Sequence, residues 1–140
     1  MPSLPDHFLL SVFDGHGGDG AAIYAELHLI NVLESTSEWK EYARSDEKNP
    51  DLLGAALTTA FLKIDMDMRV HQGGTEGKDC SGCTAVVCVV TPTHIVCSNA
   101  GDSRSVLGTD GKTIPMSEDH KPTDKGEADR IINAGGTVQM

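Results

Sequence analysis

Basic residues are scarce in this chain. Eleven Lys and Arg stand against 21 Asp and Glu, a formal charge of −10 over 140 residues. No polybasic run reverses that balance, so nucleic acid and anionic membrane surfaces are repelled and a cation-binding protein is favoured. Long apolar runs are also lacking, since none approaches the ~20 residues that span a bilayer. Residues 1–5 offer neither the basic nor the apolar region of a signal peptide. The expectation is a soluble protein of the cytoplasm or nucleus, with no nucleic acid and no membrane among its partners and its oligomeric state left open.

Missing too are a second CxxC and a spaced histidine pair, either of which would complete a zinc site with Cys80-Ser81-Gly82-Cys83. Without a secretory signal, Cys80, Cys83, Cys88 and Cys97 read as free thiols, although Cys88 and Cys97 would face each other across a hairpin turning at residues 91–94. No repeat, low-complexity tract or linker divides the chain, so residues 1–140 read as part of one domain.

What is present is concentrated at Phe8-Leu9-Leu10-Ser11-Val12-Phe13-Asp14-Gly15-His16-Gly17-Gly18-Asp19-Gly20. The apolar run predicts a short buried strand over 8–13, and the glycines behind it a sharp change of direction. A carboxylate at the strand's end, an imidazole two residues on, and glycines that permit close backbone approach gather ligand-type atoms at one turn. Ile23, Leu27, Ile30 and Leu33 then mark the apolar face of a helix. Residues 34–49 read as a loop or short helical connection pinned by Trp39 and Tyr42. Asn49-Pro50-Asp51 opens a longer helix with a buried stripe of Leu53, Leu57, Phe61, Ile64 and Met68. Asp65 and Asp67 on that helix read as solvated acids.

A glycine-rich loop over 72–81 precedes a β-prone half. Residues 83–90 and 95–100 predict an antiparallel hairpin around Pro92. Gly101-Asp102-Ser103-Arg104 is a second acidic turn, followed by a strand over 105–108, the turn Asp110-Gly111, and a strand over 113–116. A helix over 123–133 stops at Ala134-Gly135-Gly136, and residues 137–140 predict the start of another strand.

Two chemistries suit the Asp14 turn. Gly15-x-Gly17-x-x-Gly20 has the GxGxxG spacing of a dinucleotide site, yet no apolar strand over 34–49 follows to complete the unit. A metal-assisted hydrolase fits better: Asp14 offers a rigid hard oxygen ligand, Gly15 an accessible carbonyl, and His16 a proton donor or acceptor. All-oxygen ligands favour Mg²⁺ or Mn²⁺.

Val12-Phe13-Asp14-Gly15-His16-Gly17-Gly18, Ser81-Gly82-Cys83-Thr84-Ala85, Asn99-Ala100-Gly101-Asp102-Ser103-Arg104, Asp119-His120-Lys121-Pro122 and Asn133-Ala134-Gly135-Gly136 together resemble successive motifs of the metal-dependent protein phosphatase 2C (PP2C, or PPM) family of serine/threonine phosphatases. The resemblance implies an α+β fold, a PP2C-like β-sandwich flanked by helices on both sides, here incomplete at both ends. It implies hydrolysis of phosphoserine and phosphothreonine in phosphoprotein substrates by a metal-activated water. Asp14 matches the bridging metal ligand, Gly15 the carbonyl ligand, His16 the general acid, and Asp102 a further, weaker metal position. Arg104, the 81–85 segment and the last two motifs are expected to maintain the fold. The family's upstream arginine and acidic pair, and its downstream acids, have no counterpart here. The two-metal site is therefore incomplete and the chain alone is expected to be weakly active or inactive. A non-catalytic pseudophosphatase or phosphoprotein-binding module is the alternative.

Overall fold

The β-branched run Val86, Val87, Val89 and Val90 builds the middle of a sheet in the computed structural model, which describes residues 1, 3–74 and 80–139. Strand β1 (Phe8–Val12) precedes a two-residue strand β2 (Gly15–His16) and three successive helices: α1 (Gly20–Ser35), α2 (Ser37–Arg44) and α3 (Pro50–Gly74). The chain continues through β3 (Gly82–Cys83), β4 (Ala85–Val90), β5 (Ile95–Ala100), β6 (Val106–Thr109), β7 (Lys112–Pro115) and α4 (Lys125–Asn133). The fold is α+β with antiparallel sheets. The main sheet has the order β1-β4-β5, and β6 and β7 form a separate hairpin closed by Asp110-Gly111.

Every described strand pairing is antiparallel, and α1 leads to α2 and α3 instead of a parallel strand. The dinucleotide alternative therefore fails, because its glycine turn belongs to a β-α-β crossover. The 83–90 and 95–100 hairpin forms as the β propensities require, with Thr91 N–H donating to the His94 carbonyl at 2.8 Å.

Helices α1, α2 and α3 cover one sheet face. Leu29, Leu33, Trp39, Tyr42, Leu53, Leu57, Val87 and Val89 are fully buried between them. The α3 stripe follows its sequence pattern: Leu53, Leu57 and Ile64 are buried, while Phe61 and Met68 pack at the core's margin. Asp65 pairs on the surface with Arg69. Residues 34–49 resolve into α2, whose first turn is capped by Thr36 Oγ1 accepting from the Trp39 N–H at 3.1 Å.

Four sequence expectations need correction. The buried face of α1 is Ala21, Ala25, Leu29 and Leu33, while Ile23 and Leu27 are 46% and 67% exposed. The helix carries large apolar residues around much of its circumference, and the side that meets its neighbours is the one where alanines allow close approach. Strand β1 ends at Val12 and is buried on one face only. Leu9 packs toward the core, whereas Phe8, Leu10 and Val12 are 62%, 63% and 58% exposed on the other face. Residues 137–139 form no strand, since no described strand lies beside them to complete a ladder. Helix α3 also runs through residues 72–74, expected as loop; residues 75–79 of that loop and Met140 lie outside the described residues.

The N-terminal edge carries a titratable core contact. His7, buried at 4% exposure, has its Nε2 2.8 Å from the Tyr42 hydroxyl. Burial foremost, then the charges of Lys48 and the N-terminus, push the His7 pKa below its ordinary 6.5, with Asp6 opposing. The unfolded chain thus binds more protons than the folded one just below that value, so stability rises with pH there and falls as pH drops below about 6.5. Urea midpoints measured from pH 7.5 down to pH 5 should decline in the native sequence and flatten in His7→Gln. An equal decline in both would remove His7 as the cause.

Candidate metal and catalytic corner

The ladder between β1 and β4 does not stop at Val12. Thr84 N–H donates to the Asp14 carbonyl at 2.9 Å, and Gly15 and His16 then pair with Cys83 and Gly82 in the same register. Residues alternate faces along a strand, so Asp14 and His16 share the face turned away from the helices, which also carries Phe8, Leu10 and Val12. Backbone hydrogen bonding alternates as well. Asp14 points its carbonyl at Thr84, so Gly15 between the two bonded positions turns its own carbonyl outward, to the open edge of β1.

His16 lies across the strand from Gly82. A Cβ built at Gly82 would sit 2.6 Å from His16 Nε2, so the absent side chain leaves the space the imidazole occupies. Asp14 is exposed, and no described residue makes a hydrogen bond or ion pair with its carboxylate. Its main-chain N–H donates to Thr84 Oγ1 at 3.3 Å.

Thr84 joins this corner to the next. Its Oγ1 lies 2.6 Å from Ser103 Oγ on the turn after β5, and its methyl lies against Gly101, whose φ is +103°. Asp102, exposed, sits between those two turn residues, with the Lys121 ammonium near enough to feel its charge. The turn is strapped from the far side. Asn99 Nδ2 donates to the carbonyls of Gly101 (3.0 Å) and Glu118 (2.8 Å), and His120 N–H donates to the Gly101 carbonyl at 2.9 Å.

Arg104 donates through Nε and Nη2 to both oxygens of Asp119, each at 2.9 Å, and Lys121 reaches the same carboxylate. These hydrogen bonds, Arg104 first, hold the Asp119 carboxyl well below the usual carboxylate range. With Nε and Nη2 so occupied, Arg104 ties its turn to the 119–121 segment.

The predicted residues therefore fall into two groups. Asp14, Gly15 and His16 gather at one ladder end, while Asp102 stands on the neighbouring turn, linked to them through Thr84 and Ser103. Among the described residues, no three His, Cys, Asp or Glu side chains converge as a metal site. The Asp14 carboxylate and Gly15 carbonyl fit Mg²⁺ or Mn²⁺ in kind, as hard oxygens with no hydrogen-bond partner among the described residues, and supply only part of a coordination shell. In the sequence Thr84 stands only within the 81–85 motif, as part of a segment expected to maintain the fold, and its register opposite Asp14 is what reveals the link.

Comparison with known proteins follows the same outline. The sequence model described as Protein phosphatase 2C matches residues 2–140. Protein phosphatase 1B of Rattus norvegicus is 37% identical over 140 residues, covering 98% of this chain and 36% of its own length. Probable protein phosphatase 2C 6 of Paramecium tetraurelia is 40% identical, covering 96% of the chain and 45% of its own. The crystal structure of serine-threonine phosphatase 2C from Toxoplasma gondii superposes with a TM-score of 0.85 at 27% identity, over 99% of this chain and 48% of that one. A C. elegans sex determining protein superposes at 0.75 with 28% identity, over 96% of this chain and 31% of that one. The chain thus spans under half the length of each of these proteins.

Proposed function

The chain belongs to the protein phosphatase 2C family, and from that premise we propose that residues 1–140 carry one part of the catalytic domain of a metal-dependent protein serine/threonine phosphatase. The observation that supports this most is the placement of Asp14 and His16 two residues apart on one open strand face, with the Gly15 carbonyl turned to the free edge. Asp14 and Gly15 would hold Mg²⁺ or Mn²⁺, with Asp102 serving a further, weaker position. When bound, such ions acidify water and neutralise phosphoryl charge. His16 would hold the proton that passes to the departing serine or threonine oxygen, a task suited to an imidazole. Thr84 fixes the backbone on which Asp14 stands, and Gly82 leaves room for the imidazole.

The absence of a three-ligand cluster among the described residues also supports a second reading, a phosphoprotein-binding module without catalysis. Two measurements separate them. The 140-residue chain with Mn²⁺ should release little or no p-nitrophenol from p-nitrophenyl phosphate. The same chain expressed with its reading frame extended on both sides should hydrolyse a phosphothreonine peptide, and Asp14→Asn should lower that rate on the order of 100-fold or more. Robust hydrolysis by the short chain, lost in Asp14→Ala, would overturn the expected inactivity. An extended protein that binds phosphopeptide but never turns it over would establish the module.

A further inference from the structure

We propose that Cys88 and Cys97 are the two ends of a reversible disulfide across the β4–β5 hairpin, an inference independent of the phosphatase reading. The two residues are directly opposed in the register. Thr91 and His94 form a bonded position at the turn, so hydrogen bonding alternates down the ladder and Cys88–Cys97 falls at a position without backbone bonds. Such positions bring Cα atoms to about 4.5 Å, inside the range of roughly 4.4–6.8 Å that a disulfide spans. Both side chains point to the face that the helices leave open, beside the exposed Leu10. Both are free and half-buried, and Cys88 Sγ also lies 3.2 Å from Ser105 Oγ.

The oxidant is a low-molecular-weight disulfide such as oxidised glutathione. A Cys88 thiolate attacks one glutathione sulfur, the glutathione S–S bond breaks, and one glutathione thiolate departs, leaving a mixed disulfide. Cys97, having lost its proton to solvent, then attacks Cys88 Sγ and expels the second glutathione thiolate. Two protein thiols are oxidised by two electrons, and one glutathione disulfide is reduced to two thiols. The Cys97 thiol is pushed up to about 11, by burial first and then by the hydrogen bond and charge of Cys88, with Ser105 opposing. Cys88 is the entering sulfur, because burial and its neighbour disfavour Cys97 as the first nucleophile. Once Cys88 is capped, two of the influences that raise Cys97 are gone and the second step is eased. The bond would tie together the two strands that lead, at the same end of the ladder, to Thr84 and to the Gly101 turn.

The folded chain is equilibrated at pH 8 in glutathione buffers of graded poise, quenched with N-ethylmaleimide and analysed by intact mass and peptide mapping. The Cys80→Ser/Cys83→Ser double variant, which lacks the CxxC competitor, is treated in parallel. The expected product in both is a chain lighter by two hydrogens with Cys88 linked to Cys97, a thermal midpoint raised by roughly 5 °C, and full reversal by dithiothreitol. Cys97→Ser should stop at a glutathione adduct on Cys88. Linkage of Cys80 to Cys83 alone, or complete alkylation of Cys88 and Cys97 at every poise, would overturn the proposal.

Discussion

Trp39→Ala is expected to cost about 3–5 kcal/mol of unfolding free energy. Trp39 is 2% exposed, heads the set of largest fully buried side chains, and stacks near Tyr42 with ring centroids 5.8 Å apart. It belongs to α2, a helix of eight residues. Helices that short are marginal alone and depend on the apolar face they bury. Truncating the indole removes most of that burial and leaves a cavity in the core cluster that Trp39 shares with Leu33 and Leu53, in a domain whose whole stability is of order 5–15 kcal/mol. The Thr36 cap bond to the Trp39 N–H survives, since it uses backbone, and it is too weak to hold α2 in place. Urea unfolding followed by circular dichroism is the measurement, because the substitution removes the only tryptophan. A loss below about 1 kcal/mol would show that α2 is not anchored by this side chain.

The second large effect lies at the site. Gly101→Ala is expected to cost about 2–5 kcal/mol, from a backbone conformation that L side chains resist and from overpacking against a rigid neighbour. Gly101 has φ +103°, and an added Cβ would stand 2.8 Å from Thr84 Cγ2 and 2.9 Å from Thr84 Cβ. Thr84 cannot step aside. It is β-branched, its N–H is bound to Asp14, and its hydroxyl lies against Ser103. Relief must come from moving the turn, which would part Asp102 from the Asp14 corner. Gly82→Ala makes a closer contact, 2.6 Å, but with the far end of the His16 side chain, which can swing away. The fold should tolerate that change while the imidazole loses its place. Urea midpoints for the two variants, with amide exchange at Thr84, test the contrast. Equal stability of Gly101→Ala and the native chain within about 0.5 kcal/mol would refute the role given to this contact.

Legibility varied with how local the cause was. The hairpin of β4 and β5 was readable because β-branched residues and a Pro92 turn act within a few residues of each other. The α3 stripe was readable because one side of that helix concentrates large apolar groups. In α1 the large groups were misleading, since Leu27 and Ile23 are exposed while Ala21 and Ala25 are buried. Which face a helix buries depends on how near its neighbour can approach, and nothing local specifies the neighbour. Strand β1 was misjudged for a related reason: its apolar residues announce a strand, and only the packing shows that helices cover a single face.

At the corner, Asp14, Gly15 and His16 stood out as ligand-type groups by residue type and short spacing, and Asp102 as a second acidic turn whose metal position is implied only by the family resemblance. Their family was recognisable because five motifs keep a fixed order along the chain. The tertiary structure alone decided that β1 and β4 run on in one register past Val12, that Gly15 turns its carbonyl outward, and that Thr84 links two acidic turns 88 residues apart, at Asp14 and Asp102. Contacts of that kind are fixed by strand register, which is set jointly by distant segments as they pack. A sequence carries the groups that will meet; their meeting is a property of the folded sheet.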